Sequence, residues 1–190
     1  SPALGSEGRV YVGSLDDRLY ALEANGTLGW SYLTGNWICS SPAIDATGQV
    51  YVGSYNDNLY ALDADGSLYW SYRTESIVYS SPALGSEGRV YVGSSDCNLY
   101  TLNAAGTLYW SYRTGDYIRS SPALGSEGRV YVGSWDDRCY AFNANGTLAW
   151  TYVTGDWIYS SPAIGSDVRV YIGSYDNNLY CIKQGPTPTP

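Results

Sequence analysis

The chain has 190 residues and a formal net charge of −8, and it is rich in Gly (22), Tyr (21) and Trp (7) with no His and no Met. The acidic balance and the evenly scattered Arg residues exclude the clustered basic surface that nucleic acid requires, and no run approaches the ~18–20 apolar residues of a membrane span. Without His, histidine triads, His general bases and His metal sites are excluded as well.

Aligned on Ser-Pro-Ala, the sequence repeats every 40 residues, with starts at Ser1, Ser41, Ser81, Ser121 and Ser161 and no insertion. The segment SPALGSEGRVYVGS stands unchanged at 1–14, 81–94 and 121–134. In chain order, each unit predicts a short strand A through segments of the type ICSSPAI, from Ile38 onward, and a Gly-Ser-Glu-Gly turn. Strand B follows over 9–13, then a polar turn over 14–17 and strand C over 19–22. An Ala-Asn-Gly turn leads to strand D over 28–32, and Thr34-Gly35 closes the unit. Short β-branched and aromatic runs between Gly, Asn and Asp clusters are the all-β signature. Val10-Tyr11-Val12 and Leu19-Tyr20-Ala21-Leu22 do not alternate apolar with polar, so both faces of the sheet are expected to be covered. Four-stranded sheets packed face to face around an axis meet that need with ~40–45 residues per unit. No segment holds the 3.6 period of a helical solenoid, and single-sheet β-solenoids usually have shorter rungs.

The expected fold is therefore an all-β propeller of five four-stranded antiparallel blades, at 1–40, 41–80, 81–120, 121–160 and 161–184. The last blade is expected to lack its outer strand, because Gly-Pro-Thr-Pro-Thr-Pro follows strand C and Pro donates no ladder hydrogen bond. Residues 185–190 read as a Pro/Thr linker or tail. Ser1 is not a start methionine and no leader-like stretch follows it, so the sequence reads as a mature chain or a piece of one.

The pattern GRVYVGS-x-D-x-x-LYAL-x-A-x-G-x-L-x-W-x-Y-x-T-G, followed by SSPA, resembles the PQQ-like repeat of quinoprotein alcohol dehydrogenases and of an outer-membrane assembly lipoprotein. The resemblance covers 1–182 and places Trp30, Trp70, Trp110 and Trp150 at the family's docking tryptophan. It implies a propeller whose relatives carry seven or eight blades, so five blades mean either an unusually small ring or part of a longer array. Quinone chemistry does not carry over: the enzymes use a larger ring, a calcium site and a disulfide of adjacent cysteines, and this chain has no Cys-Cys pair. No cofactor, no metal and no enzymatic activity are expected.

In an antiparallel meander the A–B and C–D turns share one end of the blade, and the B–C and D–A connections share the other. The first set is nearly constant among the copies, whereas the second varies. After Gly-Ser stand Leu15, Tyr55, Ser95, Trp135 and Tyr175, and the D–A connections GNWIC, ESIVY, GDYIR and GDWIY contribute Trp37, Ile77, Tyr117 and Trp157, with Arg119. Leu15, Trp37, Tyr55, Ile77, Tyr117, Arg119, Trp135, Trp157 and Tyr175 are thus the predicted ligand-binding residues. Flat rings stack on pyranoses or peptide side chains at low entropic cost, so a glycan or protein ligand is expected. The same rings would also serve as simple packing between blades. Asp16, Asp57, Asp96, Asp136 and Asp176 are read as one equivalent turn position whose carboxylates accept backbone amides. Asp63-Ala-Asp65-Gly66 is read as a turn, since its sister turns are EANG, NAAG and NANG and further calcium ligands are missing.

Cys139 and Cys181 share strand parity and read as buried apolar substitutions. Cys39 and Cys97 lie at the variable face of neighbouring blades, where a disulfide is geometrically open to them. Asn25-Gly-Thr27 and Asn145-Gly-Thr147 are glycosylation sequons, and Thr187 and Thr189 suit O-glycosylation of the tail. Together these predict an extracellular or cell-surface binding module. The alternative is a structural subunit that self-associates by strand addition at the incomplete last blade.

Overall fold

The computed structural model describes residues 1–183, so Thr187 and Thr189 and the tail lie outside the described residues. Within that range the chain forms five antiparallel sheets, one per repeat, each ordered as in the sequence. Blade 1 holds β1 (Ala3–Leu4), β2 (Val10–Gly13), β3 (Arg18–Leu22) and β4 (Leu28–Leu33). Blade 2 holds β5 (Ala43–Ile44), β6 (Val50–Gly53), β7 (Asn58–Leu62) and β8 (Leu68–Arg73). Blade 3 holds β9 (Ala83–Leu84), β10 (Val90–Gly93), β11 (Asn98–Leu102) and β12 (Leu108–Arg113). Blade 4 holds β13 (Ala123–Leu124), β14 (Val130–Gly133), β15 (Arg138–Phe142) and β16 (Leu148–Val153). Blade 5 holds β17 (Ala163–Ile164), β18 (Val170–Gly173) and β19 (Leu179–Ile182), three strands among the described residues.

Strands B, C and D match their expected bounds to within a residue. Strand A is shorter than expected. In blade 2 only Ala43 and Ile44 pair, with Tyr51 and Val50. The preceding Ser-Ser-Pro segment bonds through side chains instead. Ser40 Oγ donates to the Gly53 carbonyl (2.9 Å) and accepts from the Gly53 amide (2.8 Å). Ser41 donates its amide to Ser81 Oγ (2.8 Å), and Pro42 has no amide to offer. Equivalent bonds run from Ser1 to Ser41 (3.0 Å), Ser81 to Ser121 (2.9 Å) and Ser121 to Ser161 (3.0 Å). They stitch one innermost strand to the next around the axis.

Hydrophobic packing joins consecutive blades. Tyr11, Leu19 and Ala21 of blade 1 meet Val50, Val52 and Leu62 of blade 2, with Ile38 from the connection between them. The same arrangement recurs between blades 2 and 3, 3 and 4, and 4 and 5. Burying such residues on both faces is the main favourable term in a fold this flat, at ~25 cal/mol per Å² of apolar area.

Polar groups then fix the register of blade on blade. Trp30 Nε1 donates to the Ala64 carbonyl in the C–D turn of the next blade (3.0 Å), as Trp70 does to Ala104 (3.0 Å) and Trp110 to Ala144 (3.2 Å). The acceptor equivalent for Trp150 would be residue 184, outside the described residues. Each indole lies over a turn glycine: a Cβ on Gly106 (φ +77°) would stand 2.5 Å from Trp70. A second link uses carboxylates. Asp136 Oδ2 accepts the Tyr140 hydroxyl (2.6 Å) and the Gly115 amide of the preceding connection (2.6 Å). Asp96 does so with Tyr100 and Glu75, and Asp176 with Tyr180 and Gly155. The equivalent residue in blade 2 is Asn56, not Asp57. Asn56 donates its amide to the Thr34 carbonyl and to the Tyr60 hydroxyl, while Asp57 stands one position later at φ 69°. Asp65, in the supposed calcium-like turn, accepts from the Ser67 amide and hydroxyl, as a turn residue does.

The five blades form an open arc. Among the described residues no core cluster joins blade 5 to blade 1. Leu4 is 75 % exposed, and Val10, Val12 and Leu22 are half-buried where Val50, Val52 and Leu62 are buried. At the other end Leu179 is 76 % exposed, whereas Leu19, Leu59 and Leu99 at its position are buried. Cys181 is exposed for the same reason, which corrects the expectation that it is buried; Cys139, facing blade 5, is buried. Full coverage of both faces therefore holds for blades 2, 3 and 4 only.

The open end supplies its own control for the tryptophan link. Gly26 also has a positive φ (+84°) but nothing within 4 Å of its Cβ position, since no indole of the described residues lies over it. Gly26→Ala is expected to cost only the left-handed backbone term, about 1–2 kcal/mol. Gly106→Ala must also displace Trp70 from Ala104, adding ~1–2 kcal/mol. Urea denaturation of the two variants measures the difference, and equal costs would remove the tryptophan from the account.

Stability should show a flat plateau in pH with two edges. Burial, then the carboxylate hydrogen bond, holds the phenols of Tyr100 and Tyr140 above their ordinary 10.0. Their contribution is complete below pH 10 and lost as pH rises beyond it. Hydrogen bonds from Tyr20 and Tyr180 hold the Asp16 and Asp176 carboxyls below 3.8, so their contribution is present above that value and lost as pH falls through it. With no His, urea midpoints are expected to be level between pH 6 and 9 and to fall at both sides; a step near pH 6.5 would contradict this.

Candidate functional site: an aromatic face around Arg119

The variable connections are held at one end of the arc by constant backbone bonds. Thr34 Oγ1 donates to the carbonyls of Asp17 (3.0 Å) and Asn36 (2.8 Å), and the buried Ser54 hydroxyl reaches the Asn36 carbonyl (3.2 Å). The residue after each Gly-Ser then donates its amide to the third residue of the preceding D–A connection. Tyr55 donates to Trp37, Ser95 to Ile77, Trp135 to Tyr117 and Tyr175 to Trp157, each at 2.9 Å. Four side-chain pairs are thereby forced together by backbone shared by all blades, and identity alone varies.

Three of those pairs are aromatic. Trp37 and Tyr55 lie 5.8 Å apart, Tyr117 and Trp135 5.6 Å, and Trp157 and Tyr175 6.4 Å between ring centroids. Trp135 and Trp157 stack in parallel, 4.7 Å apart with an interplanar angle of 3°. The fourth pair, Ile77 and Ser95, leaves the wall without a ring. Leu15, in blade 1, has no preceding connection among the described residues and is exposed.

Two further tyrosines, not among the predicted residues, join these pairs. Tyr79 and Tyr159 precede Ser-Ser-Pro-Ala in their repeats, at the position of Cys39 and Arg119. They meet edge to face at 5.5 Å although two repeats separate them. Tyr55 contacts Tyr79 at 6.1 Å, and Tyr159 contacts Trp135 (6.1 Å) and Tyr175 (6.4 Å). The signal was present as a column reading Cys, Tyr, Arg, Tyr immediately before a constant segment. Reach toward the axis was not visible in it.

The Arg119 guanidinium sits among these rings, 4.5 Å from the Trp135 centroid, 5.6 Å from Tyr117 and 5.7 Å from Tyr79. Such cation–π contacts hold a cation at ~0.5–2 kcal/mol each without consuming its hydrogen bonds. Arg119 Nε and Trp135 Nε1 are both shielded from solvent and have no hydrogen-bond partner among the described residues. Burial and a hydrogen bond with Tyr79 push the Tyr159 phenol up, so it remains a neutral donor at physiological pH. Trp37 (49 %), Trp157 (45 %) and Tyr175 (60 %) remain broadly exposed at the rim. The site thus offers one cation and flat apolar surface. It suits a ligand with an anionic or carbonyl acceptor flanked by apolar groups.

The Cys39–Cys97 bridge does not form; all four cysteines are free. Burial, then the neighbouring Cys39 thiol, raises the Tyr55 phenol. Cys97 occupies a left-handed turn position (φ 73°) and its carbonyl accepts the Thr114 amide and hydroxyl. The opposite face has a cleft of ≈ 520 Å³ between blades 1 and 2, lined by Arg9, Tyr11, Glu23 and Asn25 among others. There Arg9 is already held by Glu23 (2.7 Å) and the Ala64 carbonyl (3.0 Å), leaving a satisfied surface. Asn25 and Asn145 are exposed in their turns, each accepting from the hydroxyl of its sequon threonine (2.7 Å).

Among solved structures, BamB from Moraxella catarrhalis superposes with a TM-score of 0.81 at 18 % identity, over 94 % of this chain and 58 % of that one. The WD40 β-propeller domain of Doa1 superposes with a TM-score of 0.80 at 15 % identity, over 97 % of this chain and 63 % of that one. The chain therefore spans less than two thirds of either structure, and at these identities the likeness concerns the fold. No curated protein matches the sequence. The family model described as outer membrane protein assembly factor BamB matches residues 1–78 and 46–188, which together take in nearly the whole chain. The chain belongs to the family of the outer membrane protein assembly factor BamB.

Proposed function

We propose that this chain is a non-enzymatic binding module that takes an extended polypeptide segment across the aromatic face. The observation that carries this reading is the set of ring contacts around Arg119, with Trp37, Trp157 and Tyr175 exposed at its rim. Trp, Tyr and Arg are the residues that dominate protein-binding hot spots, and here they gather on the one face whose sequence differs between copies. A segment with a carboxylate for Arg119 and apolar side chains for Trp157, Tyr175 and Trp37 matches the surface. The family's named member is an assembly factor for outer membrane proteins, which favours a polypeptide over a small metabolite. The same name, the two exposed sequons and the scarcity of Lys support a place outside the cytoplasm. Among the described residues no helix is long and apolar enough to cross a membrane.

A glycan is the second reading. It is favoured by the exposed indole of Trp157 beside Asp156, whose carboxylate already orients the Trp157 amide (2.7 Å). The two readings separate in one experiment, in which a random peptide library and a glycan array are screened in parallel with titration calorimetry on the hits. Peptide hits are expected, with Trp157→Ala and Arg119→Ala each weakening binding at least 10-fold, ~1.4 kcal/mol or more. Leu68→Ala on the outer strand of blade 2 is expected to leave affinity unchanged. Glycan hits with a blank peptide screen would replace the polypeptide reading, and hits indifferent to both substitutions would move the site elsewhere.

A further inference from the structure

We propose that Asp156 and the open face of Trp157 form a cation subsite for an arginine side chain of the bound polypeptide, about four residues from the carboxylate that Arg119 takes. This rests on the polypeptide reading above and adds to it the charge pattern that the partner carries.

Two connections on the variable face share one motif and differ in how they end. Residues 115–119 read Gly-Asp-Tyr-Ile-Arg, and residues 155–159 read Gly-Asp-Trp-Ile-Tyr. In both, the carboxylate caps the next amide through Oδ1: Asp116 accepts from Tyr117 and Asp156 from Trp157, each at 2.7 Å. The first motif brings its own cation, since Arg119 lies 4.5 Å from the Trp135 ring and 5.6 Å from Tyr117. The second has the carboxylate and the rings but ends in Tyr159, so a cation there comes from a ligand. The ion pairs among the described residues are Arg9–Glu23, Arg89–Glu87 and Arg169–Asp167, all on the opposite face. Arg119, Asp116 and Asp156 are in none of them.

The remaining connections lack this combination. Asn36 caps the Trp37 amide with Oδ1 (2.8 Å), but its second atom is Nδ2, which donates to the Tyr55 carbonyl (3.3 Å). Trp37 therefore stands beside a neutral amide. In blade 2, Ser76 and Ile77 supply neither charge nor ring.

The stack of indoles sets the spacing. Trp135 and Trp157 are parallel and 4.7 Å apart, too close to admit a guanidinium, so Arg119 covers the other face of Trp135. The far face of Trp157 meets Tyr175 at 6.4 Å and 58°, which makes a corner of two rings with Trp157 45 % exposed. Trp157 has a ring on either side, so this opening belongs to the face itself. A cation in the corner and Arg119 then sit at opposite ends of a two-indole stack, roughly 13 Å apart for ordinary cation–π contacts. An extended segment advances ~3.4 Å per residue with alternate side chains on one side, so positions i and i+4 span that distance. Arginine fits the corner better than lysine: its planar head stacks on the indole while its N–H groups reach the carboxylate. Its methylene stem supplies the apolar contact that Tyr175 and Trp157 offer.

Calorimetry with synthetic peptides of extended conformation, each carrying one Glu and one Arg, tests the subsite. Affinity is expected to peak at a separation of about four residues and to fall with added salt. Exchange of the peptide's Arg for citrulline, a neutral side chain of the same shape, is expected to weaken binding about 10-fold. Asp156→Asn keeps the Oδ1 cap and removes the charge. It is expected to weaken the Arg peptide ~3-fold and to leave the citrulline peptide unchanged. Equal binding of the Arg and citrulline peptides overturns the cation subsite and leaves the polypeptide reading standing. Equal weakening of both peptides by Asp156→Asn overturns the subsite as well, since it marks a structural role for the carboxylate. Affinity indifferent to the Glu–Arg separation overturns the placement of the cation on Trp157. Absence of binding at every separation overturns the subsite and the polypeptide reading together.

Discussion

Tyr11, Leu19 and Ala21 close on Val50, Val52 and Leu62 as two nearly flat apolar surfaces, and neither blade has another way to remove those side chains from water. A sheet of four short strands is too thin to make an interior of its own. Each blade therefore depends on the next, and the remaining devices act to keep neighbouring faces in register. The serine ladder at the axis, the Asp–Tyr links midway and the tryptophan on the C–D turn are three such devices at increasing radius. They are polar or half-polar, which explains why the chain uses 21 Tyr and one Phe. A phenol buries a ring and still answers a carboxylate or an amide at the blade's edge.

The same economy shapes the variable face. Backbone bonds common to blades 2 to 5 bring the residue after Gly-Ser against the preceding D–A connection, so two residues are set side by side at each of four junctions. Substitution at these positions alters surface chemistry without disturbing packing beneath it. Arg119 shows the consequence most clearly. It occupies a column otherwise filled by Cys39, Tyr79 and Tyr159, and the rings from three directions hold it without neutralising it.

Much of this was legible before any coordinates. The strict 40-residue period and the unalternating Val-Tyr-Val and Leu-Tyr-Ala-Leu runs give five blades with strands B, C and D nearly to the residue. Comparison among the copies identified the face on which Trp37, Tyr55, Tyr117, Arg119, Trp135, Trp157 and Tyr175 collect. Contacts across the axis were not legible, because Tyr79 and Tyr159 are 80 residues apart and linear spacing carries no angular information. The short strand A was hidden for a different reason. Ser40 and Ser41 satisfy backbone groups with hydroxyls, and no hydropathy pattern distinguishes that from a ladder. The exposure of Cys181 is not legible, because parity tells which way a side chain points and not whether a neighbour stands there. Asp57 stands one residue beyond the linking position held by Asn56, in the left-handed turn.

The serine ladder and the four apolar junctions have a consequence for how the chain comes to be folded. Every stabilising contact they make runs between one repeat and the next, so the separation along the chain never needs to exceed about two repeats for a junction to form. Any adjacent pair of blades can serve as a nucleus, and structure then spreads outward by one repeat at a time. Blades 2, 3 and 4 gain from two neighbours, whereas the first and fifth gain from one. The chain is thus expected to be built from the middle and to fray from its ends, with amide protons in β2 and β18 exchanging by local opening well before those of β10.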